Sequence, residues 1–168
     1  MKVAYADPPY VGQAQRHYGM PEVDHVALLA QLEGYDAWAL SASSPSLRYL
    51  LPLCPETVRV MAWVKPFASF KPNVNPAYAW EPILVQMGRK PAREEPTVRD
   101  WVSSNITLRR GLAGAKPLAF CYWLFEVLNL EPDDDFHDLF PGTMGVTEAW
   151  TQWRSLKRNE PVRLLMAL

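Results

Sequence analysis

The apolar run Val3-Ala4-Tyr5-Ala6 breaks off at Asp7-Pro8-Pro9-Tyr10, and this junction constrains the fold more than any other stretch of the chain. A short apolar run bounded in this way reads as a buried strand. In a parallel α/β sheet such a strand ends at the carboxyl edge, where ligands bind, so the four residues after it project into a site. Asp7 and a proline carbonyl, which has no neighbouring N–H to compete with it, can accept both hydrogens of an aromatic amino group. The Tyr10 ring can stack on the base that carries that group. Together they suit a flipped adenine or cytosine. A tight turn after a strand also explains a Pro-Pro pair, so the rest of the chain has to decide between the two.

Short apolar runs alternate with helical patterns along the chain, which indicates an α/β sheet covered on both faces. The pattern predicts strands at 2–6, 36–41, 57–64, 81–87 and near 135–140, with a further short edge strand at 162–167. Helices are predicted near 23–33, from Ser44-Pro45, from Lys116-Pro117 to about Leu130, and over 145–158. Between Arg89 and Ala115 the pattern gives way to a long loop carrying Pro91, Pro96, Gly111, Gly114 and five arginines. Loops of this length are usually functional or disordered.

A second informative segment is Asp138-Leu139-Phe140-Pro141-Gly142-Thr143-Met144-Gly145: a strand end with an acidic residue, a glycine turn, then a helix. Glycine lets a ligand approach the backbone, and the carboxylate can accept from an ammonium group. With the Asp-Pro-Pro-Tyr tetrad, this segment resembles the amino-group DNA methyltransferases, which carry an Asp/Asn/Ser-Pro-Pro-aromatic tetrad and an Asp-x-Phe-x-Gly-x-Gly cofactor loop. The order, tetrad first and glycine loop last, with Lys116-Pro117 ahead of the loop, resembles the permuted beta class. Trp63-Val64-Lys65 and Trp80-Glu81-Pro82-Ile83-Leu84 resemble the paired strands after the tetrad in that class and in the adenine N6-methyltransferases that include the messenger-RNA adenosine writers.

The resemblance implies a Rossmann-like methyltransferase sheet, circularly permuted and minimal, that uses S-adenosyl-L-methionine and acts on adenine N6 in DNA, with RNA as a second substrate class. It implies that Asp7, Pro8, Pro9 and Tyr10 are catalytic and that Asp7, Asp138, Phe140, Gly142 and Lys116 bind the cofactor. Two departures stand out. Met144 occupies the place of the second glycine, where a side chain is expected to crowd the cofactor. The predicted strand at 162–167 ends without the acidic residue that usually holds the ribose. A degenerate relative that binds nucleic acid or a partner subunit without catalysis is the alternative these departures raise.

At 168 residues the chain reads as one domain, with a catalytic half (1–88), a basic loop (89–115) and a cofactor-loop half (116–168). Cys54 and Cys121 are far apart and in no Cys-x-x-Cys spacing, and no metal-ligand spacing links His17, His25 and His137. The expectation is a reduced, cytoplasmic protein without a metal. The most apolar stretch, Leu118 to Leu130, is too short to span a bilayer and carries Glu126. Net charge is −1, yet Lys65 to Lys116 holds nine basic residues against four acidic ones. A local basic face suits a polyanion groove, so Arg89, Lys90, Arg93, Arg109 and Arg110 are the expected nucleic-acid contacts. Tyr18, Trp63, Phe67 and Phe70 are candidate base-stacking rings, and Ser41 to Ser44 candidate pocket residues. A homodimer or a partner subunit is compatible with the sequence.

Overall fold

Hydrogen-bonding order, rather than order in the chain, places the site. The computed structural model describes residues 1–15, 19, 21–66, 74–106 and 115–166, with only the helical backbone over 160–166. Six strands form one sheet: β1 (Lys2–Ala6), β2 (Ala37–Ser41), β3 (Arg59–Val64), β4 (Trp80–Gln86), β5 (Trp101–Ser103) and β6 (Asp135–Asp138). They lie in the order β5-β3-β4-β2-β1-β6. β1 is parallel to both β2 and β6, and β3 is parallel to β5. β4 alone runs the other way, antiparallel to β2 and β3. The parallel strands therefore end at one edge, and β4 begins there.

Both faces of the sheet are buried, which is why the central strands carry near-continuous apolar runs instead of alternating ones. Val3, Tyr5, Ala37, Ala39, Trp63 and Ile83 face one layer, packed against α3 (Leu118–Val127) and α4 (Gly145–Met166) through Phe120, Leu124, Phe125, Trp150 and Trp153. Phe125 sits edge-on to Trp150 at 5.5 Å and to Trp153 at 5.7 Å, geometries that favour aromatic pairs. Ala4, Ala6, Trp38, Leu40 and Leu84 face the other layer, made by α1 (His25–Leu32) and the short α2 (Leu47–Leu50). Asp24 caps α1 by accepting from the Ala27 N–H at 2.9 Å.

The predicted strands and helices occur, with shifts of a residue or two, and three differences have physical causes. The helix expected from Ser44 is broken into a 3-10 turn, one α-helical turn and a second 3-10 turn at Leu51–Leu53, because Pro52 has no N–H to continue the ladder. The long basic loop contains β5, whose three residues carry too little periodicity to be seen. The edge strand expected at 162–167 does not form; α4 runs on through Met166. Leucine, arginine and methionine are good helix formers there, and they favour continuing the helix over starting a strand.

Asp134, just before β6, anchors the edge opposite the strand ends. Its carboxylate takes two hydrogen bonds from Arg89, at 2.9 and 3.1 Å, and one from the Glu131 N–H at 2.8 Å. Burial pushes its carboxyl up, but the Arg89 hydrogen bonds and charge hold it below the usual carboxylate value. No helix among the described residues is long and apolar enough to cross a membrane.

Candidate active site

Four sheet elements bring ionisable side chains to one edge. β1 ends at Ala6, so Asp7 emerges there; β6 is in register with it, Tyr5 opposite Asp138. β3 ends at Val64, which puts Lys65 at the same edge. β4 begins there and contributes Glu81, paired with Trp63. Lys116 arrives from the approach to α3, which Pro117 caps.

The Lys116 ammonium lies 2.7 Å from Asp7 Oδ2 and 3.6 Å from Glu81 Oε2, with its side chain 5% exposed. Lys65 is ion-paired with Glu81. Both ammonium groups stand over the Trp63 ring, at 4.7 Å for Lys65 and 5.5 Å for Lys116. Burial pushes the Lys116 pKa down, but the Asp7 and Glu81 charges outweigh it and hold the ammonium above the usual lysine value. Burial likewise pushes Glu81 up, and Lys116 with Lys65 pulls it below the usual carboxylate value. Tyr10 adds a hydrogen bond to Glu81. Beneath the pair, burial pushes the Cys121 thiol up to about 12, so it is a neutral packing group.

A cleft of ≈ 370 Å³ opens beside this cluster, lined by Tyr5, Asp7, Pro9, Lys116, Asp138, Phe140, Gly142 and Gly145. That volume lies in the range of about 300–1,000 Å³ usual for small-molecule sites. Asp138 Oδ2 accepts from Thr147 at 3.1 Å and the Phe140 N–H also acts on the carboxylate, while Oδ1 is buried and makes no hydrogen bond of ordinary geometry. Burial raises the Asp138 carboxyl above its usual value, against the Thr147 hydrogen bond. Gly142 turns the chain at a φ of +41°, a conformation that favours glycine. A buried carboxylate with acceptor capacity to spare, beside a glycine turn, fits a ligand carrying an ammonium group. Pro21 and Val23 also line the cleft, and Glu22 between them ties its segment to the one after the tetrad, accepting from the Gly12 and Ala14 N–H groups at 3.0 Å each.

The structure thus brings together Asp7, Pro9, Lys116, Asp138, Phe140 and Gly142, with Tyr10 reaching Glu81. Pro8 is buried and does not line the cleft. Lys116 lines the cleft as expected and is in addition ion-paired with Asp7. Met144 differs: it holds the left-handed conformation at φ +62°, its side chain is 46% exposed, and it does not line the cleft. The turn displaces it outward. Met144→Gly is therefore expected to leave the affinity for a ligand of the cleft within about twofold. It should change stability by no more than about 1 kcal/mol, because relief of the left-handed strain and the added freedom of the unfolded chain oppose each other. Calorimetry and melting of both proteins check this.

Arg89 is committed to Asp134 and to the Asn129 carbonyl, on the edge away from the cleft. The segment it opens returns to the sheet where Asp100 pairs with Arg59, at the start of β3 and thus again at the far edge. Arg89 is thus held away from the cleft, and Lys90 and Arg93 are not among the residues that line it. Arg109 and Arg110, like Tyr18, Phe67 and Phe70, lie outside the described residues. Trp63 is 3% exposed and donates its indole N–H to the Ser104 carbonyl at 2.9 Å, so it is a wall and not a free stacking ring. Ser41 holds the Tyr5 hydroxyl at 2.7 Å and Ser43 holds Ser46; neither lines the cleft. His137 bonds Asp135 and Tyr35 on the edge strand β6. Sequence reading missed Glu81 and Lys65 as site residues, since only the reversal of β4 reveals that Glu81 meets both Lys116 and Lys65.

The architecture is a mixed α/β sheet with helices on both faces, a fold shared with solved structures. M1.HpyAVI in complex with SAM superposes with a TM-score of 0.62 at 17% identity, covering 91% of this chain and 78% of that one. A second structure of M1.HpyAVI gives 0.60 at 13% identity, over 92% and 76%. No protein-family model and no curated protein matches the sequence.

Proposed function

We propose that this chain is an S-adenosylmethionine-dependent methyltransferase acting on the exocyclic N6 amino group of adenine in DNA, of the circularly permuted beta type. The observation that carries the reading is the meeting of Asp7 and Asp138 in one cleft, from stretches about 130 residues apart in the chain. M1.HpyAVI, which shares the fold, is seen with SAM. The permutation is supported by β1, with the tetrad, preceding β6, with the glycine loop, although the two are neighbours in the sheet.

Asp138 and the turn at Gly142 would hold the cofactor, with Asp138 Oδ1 meeting its ammonium group. When bound, the cofactor supplies an electrophilic methyl group on sulfur. The amine's lone pair is delocalised into the base; acceptance of its hydrogens by Asp7 and the Pro8 carbonyl localises it on nitrogen. Tyr10 stacks on the base, and fixed placement beside the methyl group lowers the barrier further. Transfer of label from S-adenosylmethionine to mixed DNA and RNA, followed by nucleoside identification, tests the reading. N6-methyladenine in DNA is the expected product. Labelled cytosine or RNA would change the substrate, and no label with no cofactor-induced rise in melting temperature would sink the enzyme reading.

Phosphate binding is proposed for Arg89, Lys90, Arg93, Arg109 and Arg110; Arg89 is already held by Asp134, so Arg109 and Arg110, between Ile106 and Ala115, are the pair to test. Charge reversal at both should weaken binding to unrelated duplexes alike. It should also flatten the dependence of log affinity on log salt by about 0.9 for each phosphate that is no longer neutralised. An unchanged salt slope in a variant that still binds cofactor would place the nucleic acid elsewhere.

A further inference from the structure

Glu81 belongs to neither the tetrad nor the glycine loop, yet it joins the charges around Asp7. Its carboxylate pairs with Lys65, lies 3.6 Å from the Lys116 ammonium, and receives Tyr10. Its Oε2 is buried and makes no hydrogen bond within the usual distance, so what it gives Lys116 is charge and direction. Lys116, 5% exposed, has in turn only the protein to answer its charge, and it grips Asp7 by Oδ2 at 2.7 Å. The order is anion, cation, anion, cation: Asp7, Lys116, Glu81, Lys65. Such a buried array adds little net stability over an apolar one of the same shape, because desolvation offsets the attraction. It does fix orientation.

We propose that Glu81 is a positioning residue of the amino-group site. Through Lys116 it locks the Asp7 carboxylate with Oδ2 toward the lysine, so that Oδ1 is the oxygen presented to the incoming amino group; through Tyr10 it sets the stacking ring. The proposal rests on the methyl-transfer reading above. It makes Lys116 a charge that must stay protonated during turnover. The groups that face Lys116 are Asp7 after β1, Glu81 on β4, Cys121 on α3, Asp138 at the end of β6, and the Trp63 ring on β3. Cys121 is neutral, so loss of the Glu81 charge leaves burial opposed chiefly by Asp7. The ammonium then gives up its proton at lower pH.

The test compares wild type with Glu81→Gln, which keeps the shape and loses the charge, and Glu81→Asp, which keeps the charge. Turnover is measured against pH, the affinities for S-adenosylmethionine and DNA are measured separately, and the Lys116 side chain is titrated by NMR. Glu81→Gln is expected to lower kcat about tenfold or more near neutral pH with both KM values within about threefold. Its alkaline limb should fall at least one pH unit below that of wild type, and Glu81→Asp should restore most of both. An unmoved alkaline limb, with Glu81→Asp no better than Glu81→Gln, would overturn the proposal and leave Glu81 a packing residue. The NMR midpoint of Lys116 needs no turnover: unchanged in Glu81→Gln, it overturns the proposal by itself. Wild type that transfers no methyl group sinks the reaction reading instead, whatever the midpoint does.

Discussion

Asp7→Ala is expected to reduce methyl transfer by about 10³-fold, the largest effect of any single substitution at the cleft. The carboxylate is the acceptor that localises the lone pair of the substrate amine, and loss of one such preorganised group costs about 10²–10³ in rate. The same change strips Lys116 of its nearer partner, 2.7 Å away, which disturbs the site further. Lys116 keeps Glu81, so the fold survives, but a buried ammonium with one counter-charge in place of two lowers stability by about 1–3 kcal/mol. For a domain of this length that is a fall of roughly 2–12 °C in melting temperature. Asp7→Asn tests the chemistry more finely. The amide oxygen can serve the substrate or Lys116 but not both, since its NH₂ then meets another donor. Activity should drop at least tenfold with a smaller loss of stability. Methyl transfer by folded Asp7→Ala within about threefold of wild type would show that Asp7 is not the amino-group acceptor.

The two ends of the site are legible in the sequence for a common reason. Val3 to Ala6 and the stretch leading to Asp138 are each a strand that stops at residues with defined geometric roles, prolines in one case and Gly142 in the other. Local rules of that kind act within a few residues, so a sequence displays them. What joins the two ends acts across the sheet. Glu81 meets Lys116 only because β4 runs antiparallel between β2 and β3, and no periodicity announces the direction of a strand. Arg89 shows the converse. Its place in a basic, proline-rich stretch suggests a phosphate ligand, while its partner Asp134 is 45 residues away in sequence. Met144 departs from expectation on still finer detail, since its left-handed backbone turns the side chain out of the cleft.

Asp138→Asn separates binding from folding and should move them in opposite directions. In the protein without cofactor, the Asp138 carboxylate is partly buried with acceptor capacity to spare, and burial raises its pKa above that of the unfolded chain. A carboxyl whose folded pKa is raised binds its proton more tightly in the native state, so native stability falls as pH rises through the interval between the unfolded and folded values. Below the unfolded value of about 3.8 the penalty is absent; above the folded value it is complete. Asparagine mimics the protonated form. Without cofactor, Asp138→Asn should therefore melt above wild type at pH 7, by a margin that shrinks as pH falls toward 4. With cofactor the order reverses, because the charge-assisted bond from the ligand's ammonium is lost, an interaction worth about 1.5–3 kcal/mol, or roughly 10–150-fold in affinity. Calorimetric titration with S-adenosylmethionine and melting curves at pH 4 and 7 read both effects. If the variant binds cofactor as wild type does, Asp138 is not the ammonium partner. If it melts below wild type at pH 7 without cofactor, the buried carboxylate is stabilising the fold and its Oδ1 is not held in reserve for a ligand.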